Sequence, residues 1–127
     1  MIFGVGIDII DIKRIKRVMK KYDERFKRKC FHQNEIYKSD SRYNAIESYA
    51  KRYAAKEACA KALGTGLAKG VFWKDIEVKN NEFGKPYIVL HNNAKKRLNI
   101  TNKNNYKIEV SLTDEKDFAI ANVIIFK

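Results

Sequence analysis

The sequence predicts an α+β fold in which one long helix packs on an antiparallel sheet. Three observations carry that reading: an apolar, β-rich opening segment, a run of helix formers over residues 45–63 bracketed by end signals, and two strand pairs separated by turn residues in the second half. The mixture of separate helices and hairpins, without repeats or linkers, indicates an α+β domain. With 127 residues, 45% of them hydrophobic, the chain is sized for one domain, 1–127, with a core of its own.

Residues 2–10 are almost wholly apolar, and Gly4 and Gly6 keep the backbone open, as suits a buried strand. Asp11 is a good N-cap; after it Ile12, Ile15, Val18, Met19 and Tyr22 recur at helical spacing, with lysines and arginines on the other face. A short helix follows over 23–29, and another starts near His32, where Glu35 three residues on resembles a capping box. Asn44 and Glu47 form a capping pair before the long helix, and Gly64 stands where a C-terminal glycine belongs. Segments 75–79 and 86–90 make a hairpin around NNEFGK, with Pro86 opening the returning strand. Asn92 or Asn93 caps a short helix through Leu98, and NITNKNN is a loop. A second hairpin joins 106–113 to 118–126 around DEKD; its last strand, FAIANVIIF, is nearly continuous in apolar residues and reads as buried.

The chain carries 27 Lys and Arg against 15 Asp and Glu, a formal balance of +12 that calls for an acidic partner. Nucleic acid, an anionic membrane, a phosphorylated cofactor and an acidic protein all satisfy it. Between Lys13 and Lys29 every acidic residue but Asp23 and Glu24 is missing, so the excess concentrates on the first helices. Tyr22, Phe26 and Phe31 fall at core-like positions, and no RNA-binding signature appears, which weakens the nucleic-acid class. Cys30 and Cys59 lack CxxC spacing or a neighbouring histidine pair, which argues against a zinc site and a disulfide and fits a reducing, cytoplasmic setting. No apolar run approaches the roughly 20 residues that span a bilayer. Asp8 inside the opening run, with no basic segment before it, reads as strand and not as signal peptide.

Asp8 is the anomaly of its strand, because an ionised carboxylate among apolar residues needs a cation or several donors. Two readings stand: a metal ligand at a strand end, or a capping or hydrogen-bonded buried acid. In the long helix Tyr53, Glu57 and Lys61 share one face, while Ala50, Ala54, Ala58 and Ala62 make a small-residue face that allows close packing on a sheet. A Glu57–Lys61 pair one turn apart serves any solvated helix; it also offers an oxygen ligand for Mg²⁺ and a cation for phosphate charge. Arg52 and Lys56 add cations near that face. Gly64-Thr65-Gly66 either presents backbone N–H groups to an anion or is a helix C-cap and turn. His32 and His91 have no evident partner, the usual state of surface or capping histidines. P-loop, GxSxG, HExxH and EF-hand patterns are missing.

Taken together, GIDIIDIKRI, FHQNE, KRYAAKEACAKALGTG, DIEV, NEFGKPYI and SLTDEKDFAIANVII follow in an order that resembles the holo-acyl-carrier-protein synthases, the short bacterial 4'-phosphopantetheinyl transferases, over nearly the whole chain. The resemblance implies that family's fold, a homotrimer with active sites between subunits, and transfer of the phosphopantetheine arm of coenzyme A to a serine of apo-acyl carrier protein, in support of fatty acid biosynthesis. It implies Mg²⁺ on Asp8 and Glu57, catalytic roles for Glu57 and Lys61, and docking of the acidic carrier on Arg14 and Arg17. Gly84, Lys85 and Pro86 match a GKP turn near the adenine end of coenzyme A; with Arg52, Lys56 and Gly64 they complete the expected cofactor contacts. The general base stays open between Glu57 itself and a water on the metal. Two departures stand out. Phe31-His32-Gln33-Asn34-Glu35 has His where many members have Thr, and Asp114 replaces a frequent His, so Asp114 receives no phosphate contact.

Overall fold

Asp11 separates the first two elements of the computed structural model, which describes residues 1–102 and 105–127, leaving aside the side chains of 100–102. Its Oδ1 accepts from the Lys13 N–H at 2.9 Å, ending strand β1 (Ile2–Asp11) and starting helix α1 (Ile12–Tyr22). Helices α2 (Glu24–Cys30), α3 (Gln33–Asp40) and α4 (Ala45–Leu63) follow. A single 3-10 turn, Trp73–Asp75, leads into β2 (Ile76–Asn80) and β3 (Pro86–Leu90), then α5 (Asn92–Asn102), β4 (Lys107–Glu115) and β5 (Phe118–Phe126).

The long helix has the expected bounds, but the Asn44 side chain makes no cap bond; its carbonyl accepts from the Ser48 N–H at 3.1 Å instead. Strand β2 starts one residue later than expected because Asp75 closes the preceding turn, its Oδ2 accepting from the Phe72 N–H at 2.9 Å. Helix α5 continues past Leu98 and takes 99–102 of the expected loop into the helix; 103–104 of that loop lie outside the described residues.

Strand β5 is the centre of a three-stranded antiparallel sheet ordered β1-β5-β4, while β2 and β3 pair separately. Its central place explains its apolar run. Ala119, Ala121, Val123 and Ile125 are buried under α4, but the alternate residues are only partly covered, so full burial of this strand is not reached within one chain. On the same outer face Val5, Ile7 and Ile9 of β1 are 58%, 62% and 61% exposed.

The inner face meets the alanine stripe of α4, whose Ala50, Ala54, Ala58 and Ala62 are buried. The backbones are so close that a Cβ on Gly4 would strike the Ala62 carbonyl, and one on Gly6 the Ala58 carbonyl. Asp8 is the next residue on that face, and this close crossing brings it to α4. The two histidines, expected to stand apart, come together with ring centroids 4.9 Å apart. Among the described residues no helix is long and apolar enough to cross a membrane.

Candidate active site

Asp8 and α4 build the centre of the site. The Lys61 Nζ donates to the Ile7 carbonyl at 2.9 Å and to Asp8 Oδ1 at 3.2 Å, which fixes the ammonium at the strand. The Asp8 side chain is 16% exposed and that of Lys61 52%, so the pair sits at an opening and not in the core. Glu57 lies one turn before Lys61 and is half-buried. Burial, and after it the neighbouring Asp8 charge, push its carboxyl above the ordinary range, while Lys61 and Arg14 pull it back. Asp8 and Glu57, with cations beside them, form a hard-oxygen donor pair suited to Mg²⁺.

Arg14, exposed on α1, also lines a groove of about 360 Å³ between α1, α2 and α4. Ile15, Val18, Phe26, Tyr53 and Trp73 form its apolar floor, and Arg14, Arg25 and Lys29 its cationic rim. Of the aromatics expected as core contacts, Phe31 is buried at 1% exposure and Phe26 packs against the core; Phe26 and Tyr22 also line the groove. Arg17 is exposed on α1 outside the groove lining.

The neighbouring face of α4 is closed. Lys56 is fully buried, and its Nζ donates to Glu35 Oε1 at 2.8 Å, to the Trp73 carbonyl at 3.1 Å and to the Ile76 carbonyl. Its donors are therefore spent inside the protein, which corrects the expectation of a cofactor contact from Lys56. Glu35 also accepts from the N–H groups of His32 and Val78, tying α3 and β2 to α4. Gly64 is corrected as well. Its left-handed φ of 83° ends the helix, and its N–H is taken by the Lys61 carbonyl, as that of Gly66 is by Ala60, leaving neither amide for an anion.

Arg52 donates to the Val78 carbonyl and to Asn80 Oδ1, and its edge reaches a second cavity of about 210 Å³. Pro86 and Gly84 line that cavity too, whereas Lys85 turns to Glu109, 3.0 Å away. Arg42 and Lys51, absent from the sequence-based expectation, join Arg52 there, and Lys51 is held by Asp114 at 3.3 Å. Three cations therefore converge on one cavity. No local motif links Arg42 to Lys51, so periodicity alone had no means of pairing them.

Residues 4–123 match the family model of the 4'-phosphopantetheinyl transferase superfamily. The chain is 49% identical over 125 residues to a holo-[acyl-carrier-protein] synthase of Sinorhizobium fredii, covering 98% of this chain and 90% of that protein. Among solved structures it is similar to the synthase of Neisseria meningitidis, with a TM-score of 0.88, 32% identity and full coverage of both chains. It is also similar to the synthase of Bacillus anthracis in complex with CoA (3',5'-ADP), with a TM-score of 0.80 and 33% identity over 100% of this chain and 98% of that one.

Proposed function

The chain belongs to the 4'-phosphopantetheinyl transferase superfamily, and on that premise we propose how its own residues carry out holo-acyl-carrier-protein synthesis. The reaction moves the 4'-phosphopantetheine of coenzyme A to a carrier serine: the serine oxygen bonds to phosphorus, the pyrophosphate bridge breaks, and adenosine 3',5'-bisphosphate leaves. The observation that carries this reading is the convergence of Asp8, Glu57 and Lys61 at an opening beside the cation-rimmed groove.

Asp8 and Glu57 supply the oxygens for Mg²⁺, which when bound neutralises pyrophosphate charge and makes the phosphorus a better electrophile. Glu57 accepts the serine hydroxyl proton, directly or through a water. Lys61, already fixed at the Ile7 carbonyl, faces charge growing on the leaving phosphate. Arg42, Lys51 and Arg52 hold the phosphorylated nucleoside end, with Gly84 and Pro86 walling the base. Asp114 contributes by orienting Lys51 and not by touching phosphate. The acidic carrier docks on Arg14 and Arg17, with its apolar residues entering the groove.

The working unit is a homotrimer with active sites between subunits. Support comes from the outer sheet face, where Val5, Ile7 and Ile9 are apolar and exposed beside half-buried Ile120 and Ile124. The buried free thiols of Cys30 and Cys59 fit work in the reducing cytoplasm.

The test is incubation with coenzyme A, Mg²⁺ and apo-carrier protein, with the carrier followed by mass spectrometry. One phosphopantetheine per carrier, dependent on Mg²⁺, is the expected result; an unmodified carrier overturns the reading. Light scattering on the active protein should give three chains, and a stable, active monomer would exclude the assembly.

A further inference from the structure

We propose that His32, Glu77 and His91 form a binding site for one divalent transition-metal ion, zinc first among them, separate from the Asp8–Glu57 carboxylates. The site ties the start of α3 to the β2–β3 hairpin. Each residue offers one ligand atom, and the three atoms lie within 4.8 Å of one another. Ligand atoms around tetrahedral zinc stand about 3.3 Å apart, given bonds of about 2.0–2.1 Å, so the widest pair closes by up to about 1.5 Å on binding. His91 Nε2 and Glu77 Oε1 are already 2.9 Å apart.

Glu77 supplies the independent sign of a missing cation. Its residue is only 5% exposed, and its second oxygen, Oε2, is buried with no hydrogen-bond partner among the described residues. A buried carboxylate oxygen left unpaired is costly, and a metal ion that reaches Oε2 as well as Oε1 removes the cost.

The surroundings hold the ligands as metal sites require. The Lys74 carbonyl lies 2.5 Å from His32 Nε2 and can only accept, so that nitrogen carries the proton and Nδ1 keeps the lone pair. The Asp75 carbonyl accepts from the His91 N–H at 2.8 Å, while Asp75 Oδ1 takes the Asn92 amide at 3.1 Å, so the 73–75 turn and His91 move as one. Glu35 accepts from the His32 N–H at 3.0 Å and anchors the third ligand. Two imidazoles and one carboxylate suit zinc, cobalt or nickel and not magnesium, which prefers oxygens only. The His91 side chain is 36% exposed, which leaves an entry path.

Both histidines of the chain are in the cluster, so the imidazole resonances of the tag-free protein report on it without any substitution. One equivalent of Zn²⁺ should shift both imidazoles together, equally in the parent and in Glu57→Gln, whereas excess Mg²⁺ should shift neither. By calorimetry, His91→Gln and His32→Thr should each weaken Zn²⁺ binding by at least about tenfold. If either variant fails to fold, the parent resonances decide alone. Resonances that stay in place, a shift of only one imidazole, or zinc binding lost in Glu57→Gln would overturn the proposal. The transferase reading rests on other residues and survives that outcome.

Discussion

Helix α4 carries two clusters made from the same residue types, and they differ in what surrounds them. On one face Lys56 meets Glu35 in full burial, and backbone groups of Trp73, Ile76, Val78 and His32 satisfy what remains. On the next face Glu57 shares an opening with Asp8 and Lys61, its carboxyl displaced upward and Lys61 half in solvent. The closed cluster has spent its hydrogen-bonding capacity on holding α3, α4 and β2 together. The open one keeps charge in reserve, and reserve charge is what phosphoryl transfer uses. Burial with satisfied partners therefore separates a structural ion pair from a reactive one where residue identity does not.

The sharpest way to break this contrast is to neutralise one member on each face. Glu57→Gln should lower kcat/KM by about 10²–10⁴-fold, since it removes both a proton acceptor and a metal-ligand charge. Its unfolding free energy should stay within about 0.5 kcal/mol of the parent, as for substitutions outside a buried network. Lys56→Met should do the reverse: removing one partner of a buried pair costs about 3–5 kcal/mol in denaturant unfolding. The protein that remains folded should still transfer. Loss of catalysis in folded Lys56→Met would erase the distinction between the faces.

A smaller effect tests the open face from its cationic side. Lys61→Met should reduce kcat by about 10²-fold with little change in KM for the carrier, because the charge it faces grows only during transfer. Stopped-flow and steady-state assays together separate these parameters. A raised KM with unchanged kcat would move Lys61 to carrier binding.

How much of this was legible follows from range along the chain. Asp8 declared itself as a carboxylate inside an apolar strand, and Gly4, Gly6 and the alanine stripe together signalled the close crossing that brings it to α4. Glu57 and Lys61 are local, one helical turn apart. Glu35–Lys56, Arg42 with Lys51, and His32 with Glu77 and His91 are not local, and periodicity says nothing about pairs that only tertiary folding brings together. The misplacement of Lys56 has a further cause. A helix buried around most of its circumference presents no clear polar face, so a lysine on it cannot be assigned to solvent by pattern. The Gly64-Thr65-Gly66 turn had two readings, and the intrahelical destinations of its amides favour the cap.

The groove is the region where open-face chemistry meets protein recognition. Charge reversal of Arg14 should slow carrier association by about tenfold at low salt, and reversal of Arg17, outside the lining, by less. The defect should shrink as salt rises, because exposed charges are screened over about 8–10 Å near physiological ionic strength. Coenzyme A binding should not change. An oligonucleotide measured in parallel decides the rival reading: tight binding lost on reversal, with carrier modification intact, would assign the basic helix to nucleic acid.

The smallest effect concerns pH, and it ties Arg14 to Glu57. Transfer needs the Glu57 carboxylate, whose titration lies above the ordinary 4.5 because burial and then Asp8 disfavour its charge. In the metal-free protein its carboxyl resonance should therefore titrate above that of a free carboxyl. Stability follows with its own sign: the folded chain holds this proton more tightly than the unfolded one, so the Glu57 contribution falls as pH climbs from 4.5 towards the raised value. Arg14 works against the displacement, since its guanidinium favours the charged form. Arg14→Ala should move this metal-free Glu57 titration, followed by carboxyl NMR without Mg²⁺, to still higher pH. Arg17→Ala is the control, because Arg17 is not among the charges acting on Glu57, and its titration should coincide with the parent's. Titrations that move together in both variants would mean that general surface charge, and not the Asp8–Glu57–Arg14 arrangement, sets the position of the curve.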